Sequence, residues 1–178
     1  MKKINYLIGG SLLALGTLLV LNSCKTIPKG VTAVKPFDKE KYLGKWYELA
    51  RLDFHFEKNI INATAEYSLN EDGSIKVVNR GYDIKKQEMK ESVGKAKFVD
   101  SPEEGKLKVS FFGPFYAGYN VVAIDPYYKY ALVAGKNHDY LWILSRETTM
   151  PENVKHEYLQ KARELGYDTS KLLWTQHE

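Results

Sequence analysis

From Gly44 onwards the chain is a succession of short apolar runs separated by turn signals. In residues 106–111 and again in residues 64–69, apolar and polar side chains alternate. Successive side chains of a strand point to opposite faces, so this alternation predicts strands with one face towards an interior and one towards water. The runs occupy residues 44–52, 60–69, 74–82, 89–99, 105–112, 117–125, 129–136 and 139–146.

The connections between these runs are short and carry turn residues. Asn-Glu-Asp-Gly stands at 70–73, Ser-Pro-Glu-Glu-Gly at 101–105 and Asp-Pro at 125–126. Every neighbouring pair of runs can therefore be joined by a hairpin. Many short strands at this spacing indicate a sandwich or a barrel, and hairpin connections throughout favour an eight-stranded up-and-down antiparallel β-barrel.

One helix is predicted after the last of these runs. Pro151 suits a first helical position with Thr149 as its cap, and Gly166 suits the end. One apolar stripe recurs at helical spacing: Val154, Tyr158, Ala162 and Leu165. The residues 172–174 (Leu-Leu-Trp) then predict a last short strand.

The first 23 residues have a different pattern. Lys2 and Lys3 precede an apolar stretch from Tyr6 to Leu21, which is shorter than the roughly 20 residues of a membrane-spanning helix. A basic start, an apolar run and a small residue before a cleavage point are typical of a signal peptide, which would be removed. Residues 24–35 contain Pro28 and Gly30 and predict a polar tether with no apolar face to pack.

Composition and residue spacing argue against several classes of function. The formal net charge of the whole chain is only +4 and its basic residues are spread evenly, which speaks against a nucleic-acid partner. Cys24 is the only cysteine, so no internal disulfide can form. The four histidines have no metal-site spacing, and no Gly-x-Ser-x-Gly elbow is present. We therefore expect no cofactor, no metal and no catalytic residue.

The segment Leu21-Asn22-Ser23-Cys24 resembles the lipobox of bacterial lipoproteins. That resemblance implies a diacylglycerol on the Cys24 thiol after cleavage, and Lys25 in place of Asp implies the outer membrane, with the periplasmic face favoured over the cell surface. Two or three acyl chains give a durable anchor, whereas one does not. The alternative is an ordinary signal anchor that happens to contain a cysteine.

Two further segments resemble the lipocalin family, in particular bacterial outer-membrane lipocalins and the apolipoprotein D type. Gly44-Lys45-Trp46 is similar to the family's Gly-x-Trp motif, and residues 139–146 are similar to its eighth strand, which ends in Arg146. The resemblance implies a barrel domain over residues 36–178, in which Trp46 plugs the closed end and Arg146 packs across its ring. Asp125-Pro126-Tyr127 departs from the usual Thr-Asp-Tyr, which leaves the geometry of that turn open.

Strand parity and the resemblance together nominate a ligand site. If Trp46 points inward, so should Glu48 and Ala50. The resemblance adds the following ligand-facing positions: Tyr67, Asn79, Phe111, Asn120 and Trp142. The sixth strand is apolar on both faces, so Tyr119 and Val121 are the inward alternative to Asn120. Each apolar member could equally be a packed core residue.

An eight-stranded barrel is just wide enough for one small ligand, and a lining of this kind suits a fatty acid or a lysophospholipid. The expected function is storage or transport of such a ligand in the cell envelope. Alternatives are a lipid-modifying enzyme, a store for haem or a pigment, and a structural lipoprotein with a filled barrel. Residues 54–56 (Phe-His-Phe) could form a lid, touch the membrane or anchor the loop locally. The oligomeric state is left open.

Overall fold

The computed structural model describes residues 25–52 and 59–177. Its helices are α1 (Lys39–Tyr42) and α2 (Glu152–Glu164), with a 3₁₀ turn at Thr169–Lys171. The strands are β1 (Gly44–Leu52), β2 (Ile60–Leu69), β3 (Ile75–Asp83), β4 (Glu88–Phe98), β5 (Lys106–Phe112), β6 (Phe115–Ile124), β7 (Tyr130–Ala134), β8 (Leu141–Ser145) and β9 (Leu172–Trp174). None of the helices in this described part is long and apolar enough to cross a membrane.

The strands β1 to β8 form a closed antiparallel barrel. Each strand pairs with the next, and β1 closes the sheet by pairing with both β8 and β2. The short strand β9 extends the sheet by pairing with the second half of β1. The predicted eight-stranded up-and-down barrel with one C-terminal helix is confirmed, as is the last short strand.

The two ends of the barrel differ. The β2–β3, β4–β5 and β6–β7 connections share one end with Gly44, where α1 leads into β1. The β3–β4, β5–β6 and β7–β8 connections lie at the other end. Phe37 and Tyr42 pack beneath the first end and belong to the same buried cluster as Trp46. We call this the closed end and the opposite one the mouth.

The helix α2 packs on the outer face of the barrel. Tyr158 and Ala162 are buried against outward-facing side chains of the sheet such as Leu132 and Ile143. The Tyr158 hydroxyl also donates a hydrogen bond to the Tyr130 carbonyl at 2.7 Å. Helix burial therefore uses the stripe that the sequence pattern predicts.

The ends of α2 correct two predictions and agree with a third. Pro151 is the residue before the helix rather than its first residue, and no side chain caps the helix, so the expectation of Pro151 at the first helical position with Thr149 as cap is wrong on both points. Thr149 instead presents its carbonyl oxygen to the Ser145 hydroxyl. Gly166 follows the helix with φ of +89°, a conformation that glycine adopts without strain.

Residues 26–35 form an N-terminal strap that lies on the barrel. Val31 is buried in the cluster beneath α2. The Val34 amide donates to the Val121 carbonyl at 2.8 Å, and the Gly105 amide donates to the Val34 carbonyl at 2.9 Å. The prediction that this segment has nothing to pack is wrong, because its polar composition hides one buried valine and a set of backbone hydrogen bonds.

Candidate ligand-binding site

The closed end is built around Trp46 and Arg146. Trp46 is fully buried, and the Cζ atom of Arg146 lies 3.9 Å from the centroid of its ring. Arg146 also donates to the carbonyl oxygens of Lys41, Leu43 and Lys45 at 2.7 to 2.9 Å. The guanidinium thus ties the chain before β1 to the end of β8, and the stack that the resemblance implies is present.

Gly44 makes room for this arrangement. Its φ is +91°, and a Cβ atom built there would lie 3.4 Å from Arg146 Nη1. A side chain there would therefore be strained by the backbone conformation and would contact the guanidinium. Gly44, Trp46 and Arg146 together close this end of the barrel.

A layer of tyrosine hydroxyls lies above this floor. Tyr119 shares hydrogen bonds with Tyr42 at 2.6 Å and with Tyr67 at 2.7 Å between hydroxyl oxygens. Burial raises the pKa of Tyr42 and of Tyr119 well above the usual value, and in Tyr119 the neighbouring tyrosines raise it further. These hydroxyls therefore stay protonated, as neutral hydrogen-bonding groups.

The tyrosine layer predicts a loss of stability at alkaline pH. A tyrosine in the unfolded chain ionises near pH 10, whereas the buried hydroxyls keep their protons, so the contribution of these tyrosines to the unfolding free energy should be constant below about pH 10 and fall above it. In Tyr119→Phe that fall should be shallower by about 1.4 kcal/mol per pH unit, the slope for one proton. Urea titrations at several pH values measure the slope. Equal slopes in the two proteins would contradict the burial of this hydroxyl.

Glu48 and Arg51 form an ion pair inside the barrel. Glu48 lies opposite Leu144 and Arg51 opposite Trp142, and both partners face the interior. The Arg51 Nη1 to Glu48 Oε1 distance is 2.5 Å, and both side chains are more than nine-tenths buried. Arg51 Nη2 also donates to the Ile60 carbonyl at 3.1 Å, across the gap between β1 and β2.

This pair exists because of a β-bulge. The register of β1 against β8 shifts between Glu48 and Ala50. Ala50 lies opposite Ile143 and is buried outside the barrel beneath α2. The prediction that Ala50 faces the ligand is wrong, and Arg51 takes the inward position that simple alternation assigns to Ala50. In the sequence, the one indication that Arg51 pairs with Glu48 is its opposite charge three residues later.

The upper half of the interior is partly open. Asn79, Phe111 and Trp142 face inward and are partly exposed, so solvent reaches this part of the interior. Gly94 provides room for the Phe111 ring, because a Cβ atom at Gly94 would lie 2.7 Å from it. Tyr67 is buried lower down. The Oδ1 atom of Asn79 is buried and accepts no hydrogen bond from any described residue. We call this space the lumen.

Asn120 does not face the lumen. It lies opposite Ala134 on the outer face, and its Nδ2 donates to the Thr26 carbonyl at 2.7 Å and to the Ala134 carbonyl at 3.1 Å. The expectation that Asn120 contacts the ligand is wrong. Tyr119 and Val121 are the inward residues of β6, as the alternative held. Asn120 is instead a fully buried support for the N-terminal strap.

One cleft lies apart from the lumen. A cleft of about 340 Å³ lies where β1 and β2 separate, between Arg51, Ile60 and Leu173. In residues 25–52 and 59–177 no three His, Cys, Asp or Glu side chains are grouped so as to hold a metal ion. Cys24 and the residues 54–56 lie outside the described residues.

Comparison with known proteins agrees with this geometry. Residues 37–177 match the family described as lipocalin-like domain. The outer membrane lipoprotein Blc of Escherichia coli is 50% identical over 159 residues, covering 89% of this chain and 90% of that protein. Apolipoprotein D of Rattus norvegicus is 40% identical over 125 residues, covering 65% of this chain and 64% of that protein.

A solved structure shares the fold. The crystal structure of the cockroach allergen Per a 4 superposes with a TM-score of 0.68 at 23% identity, covering 86% of this chain and 96% of that chain. The closed barrel, the stack of Arg146 on Trp46 and the match over most of the chain lead to one conclusion. The chain belongs to the lipocalin family.

Proposed function

We propose that the chain is a lipid-anchored lipocalin of the outer membrane that holds one amphiphile, a fatty acid or a lysophospholipid, in its lumen. The observation that carries the proposal is a sealed floor beneath inward-facing side chains that remain partly exposed, among them Phe111 and Trp142. The location and the acylation of Cys24 are supported by the lipobox-like segment and by relatives named outer membrane lipoprotein.

The lumen suits a hydrocarbon tail. Val109, Phe111 and Trp142 pack against the buried interior cluster and offer apolar contact. Burying a methylene contributes about 0.8 kcal/mol, so a 16-carbon tail contributes roughly 12 kcal/mol, against association costs of about 4–15 kcal/mol. Micromolar affinity, about 8 kcal/mol, corresponds to the lowest of these association costs. The tail provides most of the binding, so selectivity for the head group is modest.

The polar groups of the interior suit a binding role. Glu48 and Arg51 neutralise each other, and the tyrosine hydroxyls bond to one another. Asn79 Oδ1 is left as an acceptor for a polar group of the ligand or for water. Partial exposure of Asn79 and Phe111 argues against a filled barrel, and the mutual pairing of the charged groups favours binding over catalysis.

Tryptophan emission tests the proposal. Trp142 faces the lumen, whereas Trp174 lies outside under Lys155. In a Trp174→Phe background, titration of residues 25–178 with oleate or lysophosphatidylcholine should shift or quench the emission. Trp142→Phe in the same background should lose most of the signal while still retaining ligand by mass. Unchanged emission together with no retained lipid would refute the proposal.

Blocking the lumen gives a second prediction. Val109 faces the interior of β5, so Val109→Trp should fill the space above the tyrosine layer and weaken amphiphile binding at least about tenfold, or ~1.4 kcal/mol. Val93→Trp is the matched control, because Val93 lies on the outer face of β4 and is exposed. Equal affinities for the two variants, both with native near-UV circular dichroism, would place the ligand elsewhere.

A further inference from the structure

The N-terminal strap begins near the mouth of the barrel and runs from there towards the closed end. Its first fixed point is Thr26, whose carbonyl accepts from Asn120 Nδ2. The strap also lies directly over Gly118, where a Cβ atom would be only 1.8 Å from that carbonyl oxygen and 3.2 Å from the Cα atom of Lys136 in the β7–β8 turn. Gly118 is thus a position where the close approach of the strap requires glycine.

The place of Thr26 limits where Cys24 can be. Gly118 lies three residues from Phe115, at the tip of the β5–β6 hairpin, a distance of about 10 Å along the strand. Cys24 precedes Thr26 by two residues and can therefore be at most about 7 Å away from it. The chain that precedes Thr26 therefore starts beside the mouth, since the strap is fastened to the barrel from Thr26, its second described residue, onwards.

The hairpin next to this point carries exposed aromatic side chains. Phe112 and Phe115 face each other across the tip and are each 78% exposed, and Tyr116 beside them is also exposed. Contiguous patches of exposed apolar side chains often mark a surface that contacts a protein partner or a membrane. Aromatic side chains are favoured at the interface between lipid and water.

We propose that the N-terminal strap fixes the acylated Cys24 beside the mouth, so that the β5–β6 hairpin and the open lumen face the phospholipid bilayer. This inference rests on the proposed acylation and deepens the proposed function. An amphiphile could then pass between the bilayer and the lumen without crossing bulk water. The occupant of the aromatic surface is the leaflet that holds the acyl chains of Cys24.

Depth measurements on the acylated full-length protein test this orientation. The acylation is first verified by intact mass, and the protein is placed in vesicles of phosphatidylethanolamine and phosphatidylglycerol with brominated acyl chains. Two variants are compared: Phe115→Trp at the mouth and Tyr127→Trp at the closed end, where Tyr127 is also exposed. The native tryptophans are the same in both, so their quenching, including that of Trp142 by lipid in the lumen, cancels in the comparison.

We expect loss of most of the added emission at position 115 and little or none at position 127. Equal quenching at both positions, quenching at 127 alone, or none at either would overturn the orientation. Ligand binding by residues 25–178 in solution is independent of this result, so failure of the orientation is distinguishable from failure of the proposed function.

Variants that detach the strap from the barrel test whether the strap sets the orientation. Gly118→Val should displace Thr26, and Asn120→Ala should remove its hydrogen bond. Combined with Phe115→Trp, either change should reduce quenching at position 115 towards the level at 127, while the ligand titration shows that the barrel is intact. Undiminished quenching at 115 in both folded combinations would show that the strap does not set the orientation.

Discussion

Replacing Arg51 with methionine should lower the free energy of unfolding by about 3–5 kcal/mol, because the Glu48 carboxylate would stay inside the barrel without its cation. The double variant Glu48→Gln/Arg51→Met should recover much of that loss, since the carboxylate at position 48 is then gone as well. Urea denaturation of the three proteins measures both effects. The coupling between the two sites is the quantity of interest.

A surface ion pair is the matched control. Lys95 and Asp72 are about as close as the interior pair, with Nζ and Oδ2 2.6 Å apart, but both side chains are about half exposed. Lys95→Met should therefore cost no more than about 1 kcal/mol. If Arg51→Met costs as little as Lys95→Met, the ion pair does not lie in a water-poor interior, and the position of the β-bulge in β1 is wrong.

Trp46→Ala should be as damaging, with an expected loss of about 3–5 kcal/mol. The change removes a fully buried ring, its hydrogen bond from Nε1 to the Tyr42 carbonyl at 2.8 Å, and the stack with Arg146. That stack alone is expected to contribute about 0.5–2 kcal/mol. Trp46→Phe should keep part of the packing, so its stability should fall between those of the unchanged protein and Trp46→Ala.

Trp174→Ala is the control for this series. Trp174 is 44% exposed and contacts Lys155 of α2, so its loss should cost about 1 kcal/mol or less. Urea midpoints at constant m-value separate the two results. A Trp46→Ala protein as stable as Trp174→Ala would mean that the floor of the barrel does not depend on this residue.

The strand pattern and the closing stack could be foreseen from the sequence. Alternation and hairpin spacing predict each strand of the barrel, because the burial of one face is encoded locally in every run. Gly44 and Trp46 stand in a recognisable motif and Arg146 ends the eighth run, so the closed end follows from family resemblance. Inward parity also holds for Glu48, which directly precedes the bulge of β1, and for Asn79 and Trp142, which lie in regular parts of their strands.

The failures have long-range causes. Ala50 turns outward because a bulge forms where β1 exchanges β2 for β9 as its neighbour, and β9 comes from the far end of the chain. Asn120 lies on a strand that is buried on both faces, so the alternation of polar and apolar residues does not show which face of this strand is inward. Its outer face is covered by the strap, whose packing depends on Val31 and on backbone hydrogen bonds that composition does not reveal.

Native mass spectrometry of residues 25–178, purified from cells without detergent, tests the central claim most directly. The account predicts a complex of one protein with one lipid-sized molecule, released on denaturation and restored by adding a fatty acid or lysophospholipid. Val109→Trp should lose the complex and Val93→Trp should keep it. Protein mass alone, both as purified and with lipid in excess, would contradict a lumen that holds an amphiphile.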